Sequence, residues 1–189
     1  MKPILQIELM WTAARFSAHE QAWCLTANRW GARHAVRAYF RFISRLGDGA
    51  FWYALMSIIA LFGGWRGVGA AAHMAVVGGI AALLYRRLKR WTRRPRPFAA
   101  DGRIQAWVAP LDEYSFPSGH TLHAVSFSLV ALAWYPSLAW LLLPFTLSVA
   151  VSRVVLGMHY PSDVLAASVI GSILAFTSLW LLPVVSLLA

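Results

Sequence analysis

Acid is scarce in this chain. Asp and Glu together number 7 against 17 Lys and Arg, and charged residues of both signs make up only 13% of 189 positions. A soluble domain carries about 25% charged residues, so a surface facing water on all sides is excluded. Cys24 is the only cysteine, which rules out an intramolecular disulfide and a cysteine-based metal site. No segment repeats and none is of low complexity. A cleavable signal peptide is not expected, because Glu8 and Arg15 interrupt the early apolar run. What fills the chain instead is apolar: 59% of residues are hydrophobic and 10 are Trp, with a mean hydropathy of +0.59. Lipid is the solvent that fits such a composition. The net charge of +10 adds loops facing anionic headgroups or phosphorylated substrates. Nucleic acid is not expected as a partner, since the apolar residues form spanning-type runs rather than the walls of a basic groove. By length the chain is a single domain, 1–189.

Residues 4–30 place Ile7, Trp11, Ala14, Ala18 and Ala22 at helical spacing, interrupted by Glu8, Arg15, His19 and Glu20. This pattern predicts an amphipathic helix at the interface, with a weakly apolar first span as the alternative. Arg29, Arg33, Arg37, Arg41 and Arg45 follow at i,i+4 steps and predict a basic stripe along one helix, snorkelling toward headgroups. Gly47-Asp48-Gly49 breaks that helix and closes the N-terminal region, 1–49. Apolar runs then cover about 50–64, 67–85, 121–135, 138–151 and 164–182. Several are shorter than the roughly 20 residues that a bilayer core requires, so each borrows from its flanks. Trp65-Arg66-Gly67 and Pro136-Ser137 are very short connections, which makes the helices they join antiparallel neighbours. The one long connection, 86–120, has the length at which a loop in a compact protein is usually functional. The result is an all-α, polytopic membrane bundle with five or six spanning helices. Its topology puts 86–120, 152–163 and the basic N-terminal segment on one face, together with every Lys and Arg except Arg66.

Three clusters on that face carry chemistry. The first runs from Lys89 to Pro97 and includes Arg90, Arg93, Arg94 and Arg96. The second is Phe116-Pro117-Ser118-Gly119-His120, at the mouth of an apolar run. Pro117 suits the first position of a helix, leaving the N–H groups of Ser118, Gly119 and His120 in an anion-binding first turn. The plainer reading of that stretch is an ordinary capped helix start. The third cluster is Ser152-Arg153, then His159 and Asp163. With Pro161 first in a helix, Asp163 falls in the first turn and reaches back toward His159. A carboxylate on one imidazole nitrogen fixes the tautomer and leaves the other as nucleophile. His120 then serves as the acid for the departing oxygen. Arginine forks and helix amides suit a tetrahedral phosphoryl group, so the set describes phosphoryl transfer through a phosphohistidine. A metal held by His120, His159 and Asp163 is the alternative, and the surrounding cations oppose it.

Lys89 and Arg96-Pro97, then Pro117-Ser118-Gly119-His120, then Ser152-Arg153 with His159 and Asp163 together resemble the three-part signature of the type 2 phosphatidic acid phosphatase family. That family includes membrane lipid phosphatases and soluble vanadium haloperoxidases. All three parts match in order across 89–163, and only the spacing from Lys89 selects Arg96 over the neighbouring Arg94-Pro95. The resemblance implies a helical bundle and hydrolysis of a lipid phosphate monoester or diphosphate without metal or other cofactor. It implies His159 as nucleophile, Asp163 as its partner and His120 as general acid. Lys89, Arg96, Ser118, Gly119 and Arg153 are implied as the phosphate-binding residues. The weak apolarity of 4–30 departs from the family, where a sixth span is commonly expected. The substrates implied are lipids such as undecaprenyl diphosphate, phosphatidylglycerol phosphate, phosphatidic acid or the lipid A phosphates, and nothing in the sequence chooses among them or sets an oligomeric state. A phospholipid-binding or transport protein that keeps the phosphate pocket without turnover is the competing reading. The location implied is a bacterial-type inner membrane. The basic asymmetry puts the active face in the cytoplasm, whereas the resemblance leans toward the periplasmic face.

Overall fold

The computed structural model describes residues 18–182, and these form helices and their connections with no strand among them. Helix α1 runs through 18–31. It is followed by α2 (His34–Arg45), α3 (Phe51–Phe62), α4 (Gly64–Thr92), the single turn α5 (Pro97–Ala100), α6 (Gly119–Trp134), α7 (Ala139–Val155) and α8 (Pro161–Leu181). The segments Gly64–Ala100, Pro136–Val155 and Pro161–Leu181 are long and apolar enough to cross a membrane. By their own 12 and 16 residues, α3 and α6 are shorter, about 18 and 24 Å at the helical rise.

Helix α6 lies at the centre, packed against α8, α4 and α7, while α3 pairs with α4 and α2 with α7. The core between them is aromatic and aliphatic: Trp52, Met74, Phe127, Val130, Trp134, Leu142, Phe145 and Val149 form one cluster. In lipid, burying such residues brings little hydrophobic gain, and close packing has to hold the helices together. Gly78 permits that closeness, since a Cβ there would sit 2.6 Å from the Phe127 ring. Polar links add a little. His73 Nε2 lies 2.9 Å from Ser178 Oγ and its Nδ1 accepts from Trp134 Nε1 at 3.2 Å, tying α4 to α8 and α6. Such bonds average about 0.6 kcal/mol in a membrane protein, so packing is the larger effect.

The connections differ in detail from the sequence expectation. The α3–α4 turn is made by Gly63 and Gly64, the latter at φ +57, so Trp65-Arg66-Gly67 belongs to α4 rather than to the loop. Helix α4 also runs on to Thr92, well past residue 85. Arg86, Arg87, Lys89 and Arg90 are good helix formers, and the helix stops only where Arg93 turns left-handed at φ 47. The long connection is shorter by that amount and contains α5. Pro117 is not helical: α6 begins at Gly119, with Ser118 as its N-cap accepting the Thr121 N–H. The basic stripe is split, because the chain turns at Ala32–Arg33 and leaves Arg29 on α1 and Arg37, Arg41 and Arg45 on α2. Gly31 lies so close to Trp107 that a Cβ would fall 2.7 Å from its Nε1. Gly47-Asp48-Gly49 does break the helix, as a wide turn in which Gly49 takes φ 141 between α2 and α3.

Residues 1–17, most of the expected amphipathic segment, lie outside the described residues. Within 18–30 the face turned to the protein is not the alanine face, for residues 18 and 22 are exposed. It carries Glu20, Cys24 and Asn28, all buried. Their partners are polar groups of the loops that follow, and this reverses the face a hydrophobic pattern selects.

Candidate active site

Arg66 Nη2 donates to the Trp134 carbonyl at 2.8 Å, so the start of α4 and the end of α6 share one end of the bundle. The opposite end therefore gathers the C-termini of α4 and α7 and the N-termini of α6 and α8. One cavity of about 1010 Å³ opens there, lined by Lys89, Arg96, Gly119, His120, Arg153 and His159. Six of the eight expected site residues thus face a common space. Ser118 and Asp163 stand behind its wall, both fully buried. Ser118 is occupied as a cap: its Oγ lies 2.9 Å from Thr121 Oγ1, and its N–H donates to the Asp163 carbonyl at 3.3 Å. Gly119 has room for a side chain, since a Cβ would meet only the Tyr85 ring at 3.6 Å. Protein packing does not require glycine there.

The cations are held in place by the loops. Arg96 donates from Nη1 to the Met158 carbonyl at 2.9 Å and from Nε to the Asp112 carbonyl at 3.0 Å. The same Nη1 lies 3.4 Å from His159 Nε2. A guanidinium only donates, so this contact needs the lone pair on Nε2 and assigns the imidazole proton to Nδ1. Arg153 donates from Nη1 to Ser44 Oγ at 2.5 Å, while its buried Nε has no hydrogen-bond partner among the described residues. His159 is almost wholly buried, and that burial, with the charges of Arg153, Arg96, Lys89 and His120, holds its pKa well below the ordinary 6.5. It is a neutral imidazole at pH 7.

Asp163 does not bond His159 as its position in the sequence led us to expect. Its Oδ2 is 3.7 Å from His159 Nδ1, and Nδ1 has no hydrogen-bond partner among the described residues. The carboxylate is taken by nearer donors: Tyr160 N–H on Oδ2 at 2.9 Å and Arg94 Nη1 on Oδ1 at 2.7 Å. Arg94 therefore sits behind the histidine, whereas Arg96 lines the cavity. The scarce acids gather here too. Asp112 Oδ1 accepts from Lys89 Nζ at 2.6 Å and from Arg96 Nη2 at 2.7 Å. Burial pushes the Asp112 pKa up, but the Lys89 hydrogen bond and the charges of Lys89 and Arg96 outweigh it and leave the carboxyl below its ordinary value. Asp48, at the α2–α3 turn, bonds His120 Nε2. Sequence reasoning gave Glu20, Asp48 and Asp112 no part in the site and weighed Arg94 only as the alternative to Arg96. The signal that could have found the acids was their rarity on a face crowded with arginine. Among the described residues no cluster of three or more metal-ligating side chains forms.

Away from the cations the same cavity is walled by Trp52, Met56, Ala75, Ala82, Leu83 and Phe127, an apolar space between α3, α4 and α6. Tyr53 and Leu83, on its margin, are 69% and 70% exposed.

These features define a class: an all-helical membrane protein with cations and histidines gathered around one cavity at one end of the bundle. The sequence model of the PAP2 superfamily matches residues 67–185, and the chain belongs to that superfamily. It is 34% identical over 128 residues to undecaprenyl-diphosphatase BcrC of Bacillus subtilis, covering 66% of this chain and 64% of that protein. It is 34% identical over 140 residues to decaprenylphosphoryl-5-phosphoribose phosphatase of Mycolicibacterium smegmatis, covering 70% and 71%. The crystal structure of a transmembrane PAP2-type phosphatidylglycerolphosphate phosphatase from Bacillus subtilis superposes with a TM-score of 0.71 at 25% identity, over 92% of this chain and 91% of that one. Against BcrC the match spans just under two thirds of the relative's length.

Proposed function

We propose that this protein is an integral membrane lipid phosphatase that hydrolyses a lipid phosphate monoester or diphosphate through a phosphohistidine, without a metal. The observation that carries the reading is the single cavity joining the cations and both histidines to an apolar space between helices. A phosphate on an apolar anchor is the ligand with matching ends. The relatives' names point to the same chemical class, in undecaprenyl diphosphate and phosphatidylglycerol phosphate. In this reading α3 and α6 cross the bilayer with the three longer helices, and the lipid chain lies between α3 and α4.

Lys89, Arg96 and Arg153 hold the phosphoryl oxygens, helped by the free amides at the start of α6. Substrate phosphate takes the place of the Asp112 carboxylate on Lys89 and Arg96. His159 Nε2 attacks phosphorus as the bond to the leaving oxygen breaks, and His120 gives that oxygen its proton. The leaving group is the lipid alcohol from a monoester and the lipid monophosphate from a diphosphate. Asp163 balances the charge that develops on the imidazole. Water then attacks the phosphohistidine, His120 takes the water's proton, and inorganic phosphate leaves. Stabilising the transferring group electrostatically in a site shielded from water is the larger share of such catalysis.

A phosphate-release screen over undecaprenyl diphosphate, phosphatidylglycerol phosphate, phosphatidic acid and lipid A phosphates tests this with protein in detergent. At least one lipid should be hydrolysed, EDTA should leave the rate unchanged, and His159→Ala should abolish it. Full activity in His159→Ala removes the mechanism, loss with EDTA brings back a metal site, and binding without turnover supports a carrier.

A further inference from the structure

Helix α1 lies outside the residues matched by the family, yet one of its faces holds the segment that carries His159. Glu20, Cys24 and Asn28 follow one another at i,i+4 and are 1%, 0% and 5% exposed. Asn28 Nδ2 donates to the carbonyls of Val155 at 3.1 Å and Gln105 at 2.9 Å, and its Oδ1 accepts the Gln105 N–H at 2.9 Å. Cys24 Sγ lies 3.9 Å from the His159 carbonyl, a weak thiol contact. Glu20 makes the strongest link. Its Oε1 accepts the Ser162 N–H at 2.9 Å, and its Oε2 pairs with Arg94 Nη2 at 2.7 Å. The other arm of Arg94, Nη1, donates to Ser162 Oγ and to Asp163 Oδ1, each at 2.7 Å. A run of ionised contacts thus leads from α1 to the carboxylate that faces His159 Nδ1.

A buried glutamate is an expensive way to fill a helix face, and an apolar side chain would serve packing better. What Glu20 adds is orientation. Arg94 alone could swing between Asp163 and solvent, for its side chain keeps 28% of its exposure. With Glu20 on Nη2, its planar fork is fixed and the direction of Nη1 follows. We infer that α1 is a positioning element of the reaction, Glu20 acting through Arg94 to hold the Asp163 carboxylate 3.7 Å from His159 Nδ1, where positive charge develops as the ring attacks. The inference rests on the reading of His159 as nucleophile. It makes Glu20 and Arg94 positioning residues, since neither lines the cavity.

The test uses the full chain in detergent, with the lipid that the wild type hydrolyses, in Glu20→Gln, Arg94→Lys, Arg94→Ala and the Glu20→Gln/Arg94→Ala double variant. Gln keeps an acceptor for Ser162 but loses the charge on Arg94, and Lys keeps the charge but loses the fork. A misplaced reacting group costs up to about 100-fold in rate. Glu20→Gln and Arg94→Lys should each lower kcat about tenfold or more, while KM and the inhibition constant of inorganic phosphate stay within about twofold of wild type. The double variant should be no slower than Arg94→Ala, because Glu20 has nothing left to act through. Either single variant, folded and with wild-type kcat, overturns the inference. So does a parallel loss of phosphate affinity, which marks a scaffold role only. If Glu20→Gln fails to fold, Arg94→Lys decides by the same criteria. A wild-type protein that releases no phosphate from any lipid instead overturns the phosphatase reading, and this inference falls with it.

Discussion

His159 meets two opposed demands. It has to be neutral to attack, and it has to sit among cations that hold an anionic substrate. Burial and the neighbouring charges of Arg153, Arg96, Lys89 and His120 meet both, because each disfavours the imidazolium and keeps the pKa well below 6.5. The sign of the pH dependence follows. A lowered pKa leaves the nucleophile neutral further into acid, and activity is lost only as pH falls through that lowered value. The acidic limb of kcat/KM, corrected for the substrate's own phosphate ionisation, should therefore lie below pH 6.5, and a limb at or above it contradicts this account. Asp163, 3.7 Å from Nδ1, opposes that shift, but its carboxylate is shared with Arg94 and the Tyr160 N–H, and burial and the cations outweigh it. The sequence could place Asp163 in the first turn beside His159, since Pro161 sets the helix start. It could not show Arg94 intercepting that carboxylate, for Arg94 and Glu20 lie 69 and 143 positions away in the chain, and only tertiary packing joins them.

At the scale of elements, the apolar runs were legible because lipid-facing helices advertise themselves by composition. Their ends were not, as α4 shows: Arg86 to Arg90 read as loop by charge, yet they are helix by propensity. The turn between α2 and α3 was legible from its glycines, but its use was not. It carries Asp48 to His120, and only Gly49, at φ 141, allows the bend. A Cβ at Gly49 would also fall 2.8 Å from the Tyr53 ring. Gly49→Ala is therefore expected to cost about 1–3 kcal/mol of stability from the backbone alone. It should also lower kcat by displacing Asp48 from His120, measured as thermal unfolding and phosphate release on one preparation. A variant as stable and as active as wild type would show that the bend has no such role.

For the whole molecule, the open choice is which side of the membrane the cavity faces. The sequence pattern puts every Lys and Arg except Arg66 on the active face, which argues for the cytoplasm by the positive-inside rule. Lys89, Arg94, Arg96 and Arg153 are engaged by the site itself, however, and we favour the periplasmic face. Helix α8 begins at the active end and runs away from it. A C-terminal green fluorescent fusion should then be bright and a C-terminal alkaline phosphatase fusion inactive, and the reverse pair places the site in the cytoplasm. Neither result bears on the nucleophile, which is the centre of the account. Rapid quenching during turnover of a lipid labelled in its phosphate tests that directly. The account predicts acid-labile, alkali-stable phosphate on the peptide containing His159, absent from His159→Ala. Turnover with no such label, or with the label on another residue, would contradict it.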